Sequence, residues 1–308
     1  MTGAVTVVFA AVPGYAHGQR PGGDAMSFET MSKSLLSKSL LSKSLLSKSL
    51  AARALTLLFA FAPVAAVPAA ETGGKVAVAA FGLFGDQSVF ESEAKGAAGI
   101  VAKRFGADPV VVRANTKRRG DATVGTLAAT LDSVAKKMDV ENDILLVILT
   151  SHGSRAGLVV KAGAREELLS PWLLGTTLRY TGVRHRLLII SACYSGIFLP
   201  LANADTLVIT AADADHPSFG CRDGAQWTYF GDAFFNTAMR RAPNLKDAFN
   251  LAREIVRKRE LQDGFDPSNP QMAGGENIVR LLEATAPTAL QPVAGKHPGL
   301  IEKPSTTR

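Results

Sequence analysis

Only two cysteines occur in the 308 residues, Cys193 and Cys221, so one disulfide at most is available and a disulfide-stapled framework is excluded. Nor do they make the close Cys pair that anchors most structural zinc sites. Aromatic side chains make up 7% of the chain, and none interleaves with the basic run Lys117-Arg118-Arg119. Without rings to stack on bases, that run reads as a solvated loop and not as a nucleic-acid surface. Long apolar runs are missing too. The uncharged segment Ala54 to Ala70 spans about 17 residues and holds Pro63 and Pro68, short of the roughly 20 that a membrane helix needs. What is present suffices for one sizeable core, because 47% of the residues are hydrophobic and 20% charged.

The net charge of +7 is concentrated at the N-terminus. Residues 1–70 carry six Lys or Arg against two Asp or Glu, leaving 28 basic and 25 acidic side chains in the rest. From Ser32 to Leu50 the pentamer SKSLL recurs almost four times. A period of five turns each Leu pair about 140° around a helix, so no apolar stripe forms. After Arg53 comes the greasy segment, which ends in Val67-Pro68-Ala69-Ala70. A basic stretch, a short apolar core and small residues at its end make a secretory signal, with cleavage expected near Ala69 or Ala70. Left uncleaved, it would be a membrane tether. No cysteine near its end supports a lipid anchor. Residues 1–25 fit neither a signal nor a domain, which makes Met26 or Met31 an alternative start. The expected organisation is an extension over 1–70, a catalytic-type domain over 71–285 and a loose tail over 286–308. So short a tail leaves no large C-terminal prodomain to expect.

Within 71–285, apolar runs alternate with segments of helical period. Lys75 to Phe81, Pro109 to Arg113, Ile144 to Thr150, Leu187 to Ile190 and Leu207 to Thr210 read as strands. Glu91 to Phe105, Val124 to Met138, Pro171 to Tyr180, Gly231 to Arg240 and Leu245 to Glu260 read as helices. Gly157 to Val160 suggests a short hairpin segment, and Asp266 to Met272 a loop leading into a last element at Asn277 to Glu283. This alternation predicts an α/β fold, a mostly parallel central sheet with helices on both faces.

Two of the strands end in reactive side chains. Ile144 to Thr150 runs into Ser151, His152 and Gly153, and Leu187 to Ile190 into Ser191, Ala192 and Cys193. The C-terminal edge of such a sheet is where α/β proteins place chemistry, so His152, Cys193 and the loop Ala211 to Asp223 are expected on one rim. A thiol attacks a carbonyl only as thiolate and needs a neighbouring base, for which His152 is placed. Gly153 has no side chain to block a substrate, and its N–H with that of Cys193 would make an oxyanion hole. Taken singly, His152 is a satisfied strand-end histidine and Cys193 a small buried hydrophobe. Their joint placement favours the chemical reading.

The words TSHGS, Thr150 to Ser154, and SACYSG, Ser191 to Gly196, resemble those of the caspase-like cysteine peptidases, and within them the legumain group. The Ala-Cys-x-Ser-Gly form is similar to legumains; in caspases the glycine lies one residue closer. The resemblance continues through TAADADHPSFGC, Thr210 to Cys221, and YFGD, Tyr229 to Asp232. It implies a caspase-like fold and an endopeptidase with His152 as general base and acid, Cys193 as nucleophile and no cofactor. It also implies peptide or protein substrates cut after Asn or Asp. Asp232 falls where the family keeps an acidic pocket residue, Arg118 or Arg119 where it keeps a pocket arginine, and Ser218 in the pocket-wall loop. Ser191 is expected to contribute to substrate binding as well, though it departs from the pattern, since legumains carry an acid at that position, two residues before the cysteine.

Competing assignments follow from the same residues. His216 is a second candidate base, while His185, ahead of its strand, belongs at the opposite end of the sheet. A zinc site of Cys193, Cys221, His152 and His216 lacks the usual ligand spacing, and no metal is expected. In the oxidising compartment that export implies, periplasmic or extracellular, a Cys193–Cys221 disulfide would silence the nucleophile. A non-catalytic peptide-binding protein of the cell envelope and a transpeptidase or ligase of the same fold are the functional rivals.

Overall fold

The computed structural model describes residues 74–285. The SKSLL repeats, the signal-like segment and the tail from 286 onward lie outside the described residues. Within them a six-stranded sheet is built from β1 (Val76–Gly82), β2 (Val110–Ala114), β3 (Ile144–Thr150), β7 (His185–Ser191), β8 (Thr206–Thr210) and β9 (Gln271–Gly274). Its order is β2-β1-β3-β7-β8-β9. Every neighbouring pair is parallel except β8 and β9. A second, three-stranded antiparallel sheet follows β3, made of β4 (Gly153–Ser154), β5 (Gly157–Ala162) and β6 (Arg165–Leu169). The helices are α1 (Ser88–Phe105), α2 (Val124–Ala135), α3 (Pro171–Tyr180), α4 (Tyr229–Gly231), α5 (Met239–Arg241), α6 (Leu245–Gln262) and α7 (Glu276–Thr285). A π-helical stretch, Asp232–Ala238, makes α4 and α5 one continuous rod.

The central strands are continuous apolar runs because both of their faces are covered. In β3, Ile144, Leu146 and Ile148 pack with α1, the π-helical rod and α6. Leu145, Val147 and Leu149 face the opposite layer of α2 and α3. β1 and β7 divide in the same way, with Val78 and Ile189 on the first face and Ala79 and Ile190 on the second. Each fully buried Leu or Ile contributes roughly 1.5–3 kcal/mol, so this double layer rigidly holds the strand ends. The expected α/β architecture, a mostly parallel sheet between helical layers, is the one observed.

Two elements differ from expectation. The segment read as a loop from Asp266 to Met272 ends in β9, an antiparallel edge strand without an apolar alternation. Its pairing is decided by β8, and its residues Gln-Met-Ala-Gly carry no strand pattern of their own. The short hairpin segment at Gly157 to Val160 is the middle strand of the small sheet, whose third strand, Arg-Glu-Glu-Leu-Leu, is too charged to announce itself.

Candidate active site

Register brings His152 and Cys193 together. Thr150 in β3 pairs with Ser191 in β7, and Ser151 N–H donates to the Ser191 carbonyl at 3.2 Å. His152 and Cys193 each lie two residues beyond that pair, on strands about 4.8 Å apart. Gly153 packs so closely on Cys193 that a Cβ at this glycine would collide with the Cys193 carbonyl oxygen. Immediately after the cysteine, Tyr194 takes a left-handed conformation, φ 55°, which turns the chain sharply into the 3₁₀ segment Ser195–Leu201. Its N–H donates to the His216 carbonyl at 2.9 Å and pins that turn to the loop after β8.

Both side chains line a cleft of about 390 Å³, together with Ser218, Phe219, Gly220, Cys221, Arg222, Tyr229 and Phe265. The cysteine Sγ accepts from Ser218 N–H at 3.3 Å and lies 3.8 Å from the Ser218 hydroxyl. The imidazole makes no hydrogen bond to the thiol in this resting arrangement. It bonds to a group that the sequence did not bring to notice: His152 Nε2–H donates to Gln87 Oε1 at 2.6 Å. An amide oxygen only accepts, so the proton is held on Nε2 and the Nδ1 lone pair is left free. Phe84 and Phe90 clasp the ring edge-on, with centroids 4.6 and 5.0 Å away. This burial lowers the His152 pKa from its ordinary value, favouring the neutral base.

The backbone around the pair is open to a ligand. Val159 N–H donates to the His152 carbonyl, so Gly153 and Leu158 form a non-hydrogen-bonded pair and the Gly153 N–H points away from β5. The Cys193 N–H likewise donates to no backbone carbonyl among the described residues.

The other expected site residues do not all reach the cleft. Ser218 is on the cleft wall, but Ser191 is buried beneath it, with its hydroxyl 3.2 Å from that of Thr228. Asp232 does not line the cleft; its carboxylate is occupied by Asn236 at 2.9 Å and by Arg259 at 3.3 Å, as its position on a helix facing α6 dictates. Arg118 and Arg119 sit in the loop after β2, Arg119 paired with Asp121 at 2.8 Å, and neither lines the cleft. The cationic group on the wall is Arg222, which makes no ion pair among the described residues. His216 is held by Asp213 at 2.7 Å and lies outside the cleft lining, and His185 opens β7 at the far end of the sheet. Cys193 and Cys221 are free thiols, and burial, with the neighbouring Cys193, pushes the Cys221 thiol up to about 12.

Beneath the strand ends lies a second unforeseen residue, the fully buried Glu93. Its carboxylate accepts from Thr150 Oγ1 at 2.9 Å and from Thr228 N–H at 2.8 Å. A signal existed: Glu93 interrupts the apolar face that Phe90, Ala94 and Ala97 give α1. An acid on a buried helix face requires partners, and here Ser191, Thr228 and Thr150 supply them.

No curated protein matches the sequence. Among solved structures, the crystal structure of caspase-1 from Spodoptera frugiperda is similar, with 15% identity and a TM-score of 0.48 over 66% of this chain and 87% of that one. The model described as the peptidase C13 family matches residues 124–278, half of the chain, a span that includes β3, β7, His152, Cys193 and the cleft-wall loop. The chain belongs to the peptidase C13 family.

Proposed function

We propose that the protein is a cysteine endopeptidase in which Cys193 and His152 form the catalytic pair. The observation that carries this reading is their equal offset beyond the paired Thr150 and Ser191, on one cleft, with Gln87 leaving Nδ1 of the imidazole unprotonated. His152 Nδ1 takes the thiol proton as Sγ attacks the substrate carbonyl carbon. The oxygen, now negatively charged, faces the N–H groups of Gly153 and Cys193. Collapse breaks the C–N bond, and His152 returns its proton to the leaving amine, giving a thioester. Water, deprotonated by His152, then cleaves the thioester and restores the thiol. No step requires a cofactor.

The segment 54–70 is proposed to export the enzyme to the periplasm or the medium, which fractionation with intact-mass determination of the mature N-terminus tests. Preference for Asn or Asp before the scissile bond rests on Arg222, whose guanidinium provides donors for a carboxylate or amide oxygen on the cleft wall. Cleavage of a peptide library, read by mass spectrometry with and without an added amine nucleophile, tests activity, preference and ligation together. Products that depend on Cys193 support the reading; a protein that binds peptides without cutting them overturns it. For Asp-containing substrates, Arg222→Ala is expected to raise KM about tenfold with little change in kcat, since a charge-assisted bond contributes roughly 1.5–3 kcal/mol before solvent screening. Unchanged KM would remove Arg222 from substrate recognition.

Gln87 gives a separate expectation. Gln87→Ala frees the ring tautomer and orientation without removing the base, so kcat is expected to fall on the order of 10-fold to 100-fold while KM stays within about twofold. Equal losses in Gln87→Ala and Gln87→Glu would point to packing, because the glutamate retains an acceptor for Nε2–H.

A further inference from the structure

We infer that Asp223 is a positioning residue, one that ties the cleft wall to the residue holding the imidazole. This rests on the peptidase reading above. Helix α1 begins directly after Gln87, the cap position, yet Gln87 makes no side-chain cap because its amide is turned to His152. The first N–H of the helix is capped from a distant loop instead. Asp223 Oδ1 accepts from Ser88 N–H at 2.9 Å and from the Ser88 hydroxyl at 3.0 Å. Gly224 N–H donates back to Ser88 Oγ at 2.9 Å. The other carboxylate oxygen of Asp223 accepts from Lys117 Nζ at 2.9 Å. The Ser88 N–H, then Lys117 and the Ser88 hydroxyl, hold the Asp223 carboxyl well below the usual range, as an anion at a helix N-terminus should be.

The placement gives this cap a consequence beyond the helix. Asp223 immediately follows Cys221 and Arg222 on the cleft wall, and Ser88 immediately follows Gln87. A single carboxylate therefore fixes the distance between the wall that receives a substrate and the amide that orients the base. Loop residues on their own are held weakly, and the Gln87 side chain can aim at Nε2 only while its Cα is held. Lys117 and Asp223 are 65% and 52% exposed, so their ion pair contributes little by itself. The bonds to Ser88 carry the connection.

The test uses the full chain and steady-state cleavage of the best library peptide, with amide hydrogen exchange at Ser88 and Gly224. In Asp223→Ala, kcat is expected to fall about tenfold and KM to rise about threefold, with exchange protection lost at both amides. Asp223→Asn keeps an acceptor for Ser88 and is expected to stay within about threefold of wild type. Lys117→Ala is expected within about twofold, with protection retained. Should Asp223→Ala fail to fold, Ser88→Ala, which deletes both hydroxyl bonds and keeps the Ser88 N–H bond to Asp223, is expected to lose about threefold in kcat. Lost protection with unchanged kcat and KM would overturn the positioning role, as would retained protection in Asp223→Ala. A wild type without Cys193-dependent cleavage, its Ser88 and Gly224 amides still protected, would sink the peptidase reading and leave the cap as structure alone.

Discussion

Cys193→Ala is expected to lower kcat/KM by on the order of 10⁴-fold to 10⁶-fold, His152→Ala by a similar factor, and the double variant by little more than either alone. In the proposed mechanism the two groups act as a unit: without the thiol no acyl-enzyme forms, and without the imidazole no base takes the thiol proton. Cys193 bonds only to Ser218 among the described residues, so its removal should leave stability within about 1 kcal/mol of wild type. Activity and folding are thereby separable in one variant. The acid limb of kcat/KM should lie below 6.5, because burial lowers the His152 pKa and the imidazole accepts a proton only above that value. Multiplicative losses in the double variant would show that the two residues act independently, and would end the shared mechanism.

The second large effect concerns folding. Glu93→Ala leaves the buried Thr228 N–H and Thr150 hydroxyl without their acceptor. Each such orphaned group costs about 1–3 kcal/mol, so a net loss of about 3 kcal/mol in urea unfolding is expected. Activity should fall as well, since this carboxyl joins α1 to the end of the strand that carries His152 and to the start of α4. Glu93→Gln, with one acceptor oxygen, should lose less, and its deficit should depend on pH. Burial raises the folded-state pKa of Glu93 above 4.5, against the lowering effect of its Ser191, Thr228 and Thr150 partners. The native state then holds a proton that the unfolded chain has released, so the stabilisation from Glu93 is complete below 4.5 and declines as pH rises through the folded value. Glutamine does not titrate. The deficit of Glu93→Gln relative to wild type should therefore shrink as pH rises above 4.5. A constant deficit would mean that the carboxyl enters the fold already ionised.

These two sites differ in how openly the chain declares them. Ile144 to Thr150 is both an unbroken apolar run and β3, residue for residue, because a strand covered on both faces must be apolar throughout. Pro171 to Tyr180 is α3 to the residue, marked by Ser170 as cap and proline in the first turn. His152 and Cys193 were legible for the same reason: each follows such a run, and parallel register carries two equal overhangs to one edge. Gln87 was not, since it contacts His152 across 65 positions and nothing local distinguishes a glutamine before a helix from any polar cap. The assignments of Asp232 and Arg118 or Arg119 to a substrate pocket followed similarity of short words, whereas a side chain's neighbours depend on which face of its helix or loop turns inward. Arg222 stands on the cleft wall only because Gly220, at φ 89°, and the Asp223 cap fold its loop back over the sheet edge.

Read without coordinates, the chain already determined its strands, its layers and the sheet edge where a thiol and an imidazole emerge, because burial on both faces writes itself into hydrophobic period. Tertiary structure alone decided the tautomer of the imidazole, the carboxyl beneath the strand ends and the cation on the cleft wall. Those depend on contacts between residues dozens of positions apart, whose side chains meet only after the helices have packed onto the sheet.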